Sequence, residues 1–164
     1  MKSLEKVLVL YEHSRAGAAA IDHARELAEE GSPGLTVVAI APRAPSGPRC
    51  GNSALEYNEA VADSVAQDLE QAKERLGEHG AAAGAVFVLL VEGSDQTLEQ
   101  YARSGGFDLV LLPAHRRPLR RGAYHPEAAR LHTVAGAEIR IVDGRAGSVS
   151  ERRQRSPQPA AGAG

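Results

Sequence analysis

Four short apolar runs, Val7–Tyr11, Leu35–Ala41, Val86–Val91 and Leu109–Leu112, constrain the fold of this chain more than any other feature. None alternates apolar with polar residues, as a strand with one wet face would. Runs so short and so continuous predict strands covered on both sides. A fifth run, Ile139–Val142, is interrupted by Arg140. That residue predicts one polar face, which suits a sheet edge or a subunit contact.

The segments between the runs carry a helical period. Ala16–Glu30 sets Ile21, Ala24, Leu27 and Ala28 on one stripe. Ser53-Ala-Leu-Glu56 is a capping-box pattern and predicts a helix from Ala54. Its inner face is expected to carry Leu55, Ala62, Val65, Leu69, Ala72 and Leu76, and its end to fall near Gly77 or Gly80. Shorter helices fit Asp95–Arg103 and Glu127–Val134, each followed by glycine. The order β-α-β-α-β-α-β-α-β predicts an α/β fold with a five-stranded parallel sheet, right-handed crossovers and helices on both faces. Residues 1–143 are expected to form the folded domain, and 144–164 a flexible basic tail rich in Pro, Ala and Gly. The Pro42–Gly51 stretch reads as a loop, and Gly77–Gly84 as a connector, because a phosphate loop would follow a strand and precede a helix.

Composition removes several function classes. The formal net charge is −2, with the tail contributing +3 and the remainder −5, so nothing favours nucleic acid or an anionic membrane as a partner. Aromatics make up 4% with no Trp, which leaves no platform for stacking bases. No apolar run approaches the roughly 18 residues of a membrane span. The apolar run near the amino terminus is too short for a signal-peptide core. The single cysteine, Cys50, cannot form an internal disulfide, which fits a reducing compartment and predicts a cytoplasmic protein.

Doubly wound sheets bind ligands beyond the carboxyl ends of their strands, where strand order reverses. In the order 3-2-1-4-5 that crevice opens between the loops after strands one and four. The first loop reads Glu12-His13-Ser14-Arg15, and Ser14 is placed to cap the following helix. The second runs from Pro113 through His115, Arg116, Arg117, Arg120 and Arg121. Between Asp108 and Glu127 it holds four Arg, two His and no acid. Guanidinium groups hold phosphate or carboxylate bidentately. Glu12, His13, Ser14, His115, Arg116, Arg117, Arg120 and Arg121 are therefore the candidate nucleotide- or anion-binding residues, with a solvated loop as the alternative.

Catalysis finds no support. No Gly-x-Ser-x-Gly elbow surrounds Ser14, and no His-Glu-x-x-His pattern occurs. His125 and His132 stand seven positions apart and Glu12-His13 stands alone, so no metal site is expected. His23 and His79 read as solvated helix residues, and Cys50 as an exposed thiol.

The stretch Lys6-Val-Leu-Val-Leu-Tyr-Glu12-His-Ser14 with its Ala-rich helix, Val91-Glu-Gly93, Phe107-Asp108-Leu-Val-Leu-Leu112, and the closing Ala135–Val142 together resemble the universal stress protein family over residues 3–143. The resemblance implies a three-layer Rossmann-like fold of the adenine nucleotide alpha hydrolase type. It also implies a homodimer across the last strand, with Ile139 and Ile141 supplying the apolar contact. Nucleotide-binding members are similar to one another in a loop written Gly-x-x-Gly, nine residues, then Gly-Ser or Gly-Thr. Here those positions fall on Pro113, Arg116 and Pro126-Glu127. Proline lacks a backbone donor, and side chains stand where backbone must approach phosphate. The expectation is a non-enzymatic stress or regulatory module with no resident cofactor. The alternative is an ATP-, AMP- or anion-binding protein that uses its arginines instead of glycines.

Overall fold

The computed structural model describes residues 3–31, 33–43, 51–82, 84–116, 122–134, 136–144 and 149–150. Cys50, Arg117, Arg120, Arg121 and the tail beyond Ser150 lie outside them.

The chain runs β1 (Lys6–Leu10), α1 (Arg15–Gly31), β2 (Gly34–Ala41), α2 (Gly51–Ala82), β3 (Val86–Val91), α3 (Leu98–Gly105) and β4 (Leu109–Pro113). It continues through β5 (His115–Arg116), β6 (Ala123–Tyr124), α4 (Ala128–Leu131), β7 (Glu138–Val142) and β8 (Val149–Ser150). The main sheet has the order β3-β2-β1-β4-β7-β8. Its first five strands are parallel, in the predicted order, and β8 adds antiparallel to β7.

The continuity of the apolar runs has the predicted cause in the central strands. On β1, Val7 and Val9 pack toward α1 and α2, while Leu8 and Leu10 join the opposite layer with α3 and α4. On β4, Leu109 and Leu111 face the first layer, and Val110 and Leu112 the second. These eight side chains are buried. Each contributes about 1.5–3 kcal/mol of transfer free energy.

The ends of the sheet differ from expectation. β3 was expected to be covered on both faces, yet Val86, Leu89 and Val91 are exposed. The strand is the last in the order, so no neighbour extends the helical layers past it. Leu55 was placed on the inner face of α2, but it is exposed. The stripe that meets the sheet runs through Ala54, Val65, Leu69, Ala72 and Leu76, one step round the helix from Leu55. That helix begins at Gly51 rather than Ala54, and continues past a non-helical Gly77 to Ala82. α3 starts at Leu98, because Thr97 and Gln100 form a reciprocal capping box just before it.

At the other edge, Ile139 and Ile141 are buried in the chain's own core with Leu112, Leu131 and Val134. They were expected as dimer contacts, and in the single chain both side chains pack internally. Arg140 does lie on the opposite face, but it is not a surface residue. Its guanidinium donates to His23 Nε2 (3.1 Å) and to Glu138 (3.0 Å). His23 is thus part of this inner contact rather than solvated. Burial, with the neighbouring Arg140 cation second, pushes its imidazole below the usual range.

The amino ends of the strands are tied by Asp108. Its Oδ2 accepts from the backbone N–H groups of Glu5 (2.9 Å) and Lys6 (3.0 Å), which joins β4 to β1 where the family-like Phe107-Asp108 stretch begins.

Candidate functional site

Among the described residues the crevice at the carboxyl ends of β1 and β4 is built around one carboxylate. Glu12 follows β1, and the turn after it is tight. Ser14 N–H donates to the Glu12 carbonyl (2.8 Å), and Ser14 Oγ accepts from the Gly17 amide (3.0 Å). Ser14 therefore caps α1. Gly17 is required sterically, since a Cβ there would stand 1.8 Å from the Glu12 carbonyl oxygen. The small residue lets α1 start directly against the turn and holds the Glu12 backbone in place.

The second loop folds back on itself. β5 and β6 form a short antiparallel ribbon, pairing His115 with Tyr124 and Arg116 with Ala123. The ribbon brings His125 beside His115, with ring centroids 4.6 Å apart. Each imidazole takes one oxygen of Glu12. His115 Nε2 lies 2.6 Å from Oε2, and His125 Nε2 lies 2.9 Å from Oε1. The His125 side chain is 3% exposed, and His115 and Glu12 are partly open.

The His-Pro-Glu sequence at 125–127 settles which proton is where. The Glu127 backbone N–H donates to His125 Nδ1 (3.0 Å), and Ala128 N–H to the His125 carbonyl (3.1 Å). A nitrogen that accepts has no proton of its own, so the neutral His125 ring carries its hydrogen on Nε2 and donates it to Glu12. Burial pushes the Glu12 carboxyl up, but hydrogen bonds and charge from His125 and His115 outweigh it and hold the group below the ordinary carboxylate range.

Glu12, His115 and His125 together offer three ligand atoms within 4.8 Å of one another. A carboxylate and two imidazoles suit zinc or a similar transition ion. The hydrogen-bond pattern opposes that use. A ligating histidine presents a bare nitrogen to the metal and donates from its other ring nitrogen, whereas His125 does the reverse. The cluster is arranged to share protons.

The remaining predicted residues separate. His13 is exposed and approaches Asp68 of α2 at 3.6 Å. Arg116 is paired with Asp143 beyond β7. Arg117, Arg120 and Arg121 lie outside the described residues. His125 was missed as a site residue, because it was compared with His132 along the chain while its partners are Glu12 and His115. The signal was the local His-Pro-Glu turn, which fixes the ring's direction.

No helix among the described residues is long and apolar enough to cross a membrane. No curated protein matches the chain. Among solved structures, the universal stress protein UspA from Lactobacillus plantarum superposes with a TM-score of 0.72 at 19% identity, covering 87% of this chain and 99% of that one. A protein of the same family from Burkholderia pseudomallei gives 0.61 at 19% identity, with 85% and 96% covered. A universal stress protein solved in complex with cAMP gives 0.53 at 16% identity, with 87% and 99% covered. These likenesses agree on the fold. The family model described as the universal stress protein family matches residues 3–143, well over half of the chain, and the chain belongs to that family.

Proposed function

We propose that this chain is a non-enzymatic, cytoplasmic regulatory or stress-response module of the universal stress protein family, whose crevice is closed by its own side chains instead of by a nucleotide. One observation carries the reading: the Glu12 carboxylate is held by His115 and His125 across the mouth where a phosphate cradle would open. Pro113 and Pro126 supply no backbone donors for a phosphate. Arg116, the described member of the arginine group, is engaged by Asp143. Ser14 serves as the cap of α1, accepting from the Gly17 amide.

A rival reading keeps the nucleotide, and the relative solved with cAMP favours testing it. Equilibrium binding of labelled ATP, AMP and cAMP to the purified chain separates the two. The closed crevice predicts no saturation up to about 100 µM, a free energy weaker than about −5.5 kcal/mol. Micromolar affinity that is lost in Arg116→Ala would establish the arginine-based alternative.

A further inference from the structure

In the layer that α1 and α2 form with the sheet, the two central strands each send in two aliphatic side chains, Val7 and Val9 from β1 and Leu109 and Leu111 from β4. The outer parallel strand β7 sends in one. Val142 is buried there, and the position two residues earlier on the same face is Arg140. A guanidinium thus stands where the layer otherwise carries hydrocarbon. α1 meets β7 and the chain just after it at two levels. At its first turn, a Cβ on Gly144 would come within 2.7 Å of the Arg15 side chain and 2.8 Å of the Arg15 carbonyl carbon, so the two backbones lie in close contact. About two turns further on, the contact is Arg140 with His23, and both side chains are largely buried.

That second contact works in only one protonation state. A guanidinium nitrogen only donates, so His23 Nε2, 3.1 Å from Arg140, is bare and the ring carries its hydrogen on Nδ1. Nδ1 faces the Glu26 carboxylate at 3.6 Å. The guanidinium has little else to turn to. Its other terminal nitrogen already donates to Glu138 at 3.0 Å, and its Nε is buried with no acceptor among the described residues. The charged groups that face the ring are Arg140 from β7, which opposes a further proton, and Glu26 and Glu30 of α1, which favour one. From α2, Arg75 is engaged with Asp22 instead, and the side chains of β1 and β4 in this layer are aliphatic. Burial and the Arg140 cation outweigh the two carboxylates and hold the imidazole below its ordinary range.

We infer that the α1–β7 seam is an acid-sensitive latch, in which a proton added at His23 Nε2 displaces Arg140 and frees β7 from α1 while the central strands stay paired. With hydrogen on both ring nitrogens the contact becomes two donors on two cations, and the guanidinium can only swing toward Glu138 and water. The latch uses none of Glu12, His115 and His125, so it holds whatever the crevice binds. The closed seam prefers the neutral ring, and the open seam takes the proton at the ordinary imidazole value of about 6.5. Opening is therefore constant above that value, grows by up to about tenfold per pH unit below it, and levels off under the lowered folded value. Mild acid thereby loosens one edge of the parallel sheet and leaves its centre intact.

Hydrogen exchange of the full chain between about pH 7.5 and about pH 5, corrected for intrinsic amide rates, tests the latch. Protection of the 138–142 amides is expected to fall with acid by up to about tenfold per pH unit, while that of the 7–10 amides on β1 holds. His23→Gln keeps an acceptor for Arg140 and cannot titrate, so its 138–142 protection should not change with pH. The ring-proton resonances of His23 provide a readout on the unmodified protein, and Arg140→Met should move their titration upward. Wild-type protection that ignores pH, a decline that His23→Gln shares, or a decline in β1 matching that in β7 would each overturn the latch. A His23 titration that Arg140→Met leaves in place would do the same.

Discussion

Two carboxylates hold the two ends of this sheet, and they do so with different donors. At the amino ends of the strands Asp108 accepts two backbone N–H groups, from Glu5 and Lys6. At the carboxyl ends Glu12 accepts two imidazoles, from His115 and His125. Backbone amides keep their protons at any working pH. The second knot is built of side chains alone, so substitution can alter any of its members, whereas the donors of the first are backbone. The fixed knot lies where the strands begin and only architecture is at stake. The adjustable one spans the crevice where related proteins of this architecture carry their ligands.

The largest test of that contrast is His125→Ala. It removes a buried ring, its bond to Glu12 and the acceptor for Glu127 N–H, so unfolding by denaturant should show a loss of about 2–4 kcal/mol. A loss below about 0.5 kcal/mol would mean that the adjustable knot is ornamental. Asp108→Ala should be milder, at about 1–2 kcal/mol by the same measurement, because the freed amides of Glu5 and Lys6 lie in an exposed setting where water replaces the carboxylate.

The smallest change, about 1 kcal/mol at neutral pH, is expected for Glu12→Gln, which keeps an acceptor for His125 Nε2–H. Its value lies in the pH profile. The Glu12 carboxyl is lowered in the folded state, so the unfolded chain takes up that proton first. The contribution is complete above the ordinary carboxylate value and is lost as pH falls through the lowered folded one. Stability against acid should therefore decline more steeply in the wild type than in Glu12→Gln. His23 marks a separate window. Its folded value is also lowered, so its protonation favours the unfolded chain as pH drops through the ordinary imidazole range, equally in both proteins. Parallel curves throughout the acid range would remove Glu12 from the titrating knot.

Much of this molecule follows from local pattern. Continuous runs such as Val7–Leu10 and Leu109–Leu112 could only be strands buried on both faces, and helical stretches between them force parallel crossovers. Ser14 as a helix cap needed only its neighbours, since the bond to Gly17 spans three residues. Local pattern does not reveal who meets whom across the chain. His125 finds Glu12 over 113 positions, and Arg140 finds His23 over 117. Both pairings exist because the β5–β6 ribbon and the packing of α1 on β7 place those side chains together. Whether an apolar run becomes a central strand or an edge is likewise settled by its place in the sheet, as β3 shows. The sequence alone determined which segments are strands and helices, because hydrophobic period and capping act over a few residues. Only the tertiary structure decided which charges share a site and which strand ends the sheet among the described residues, because those depend on contacts between segments that the chain itself holds far apart.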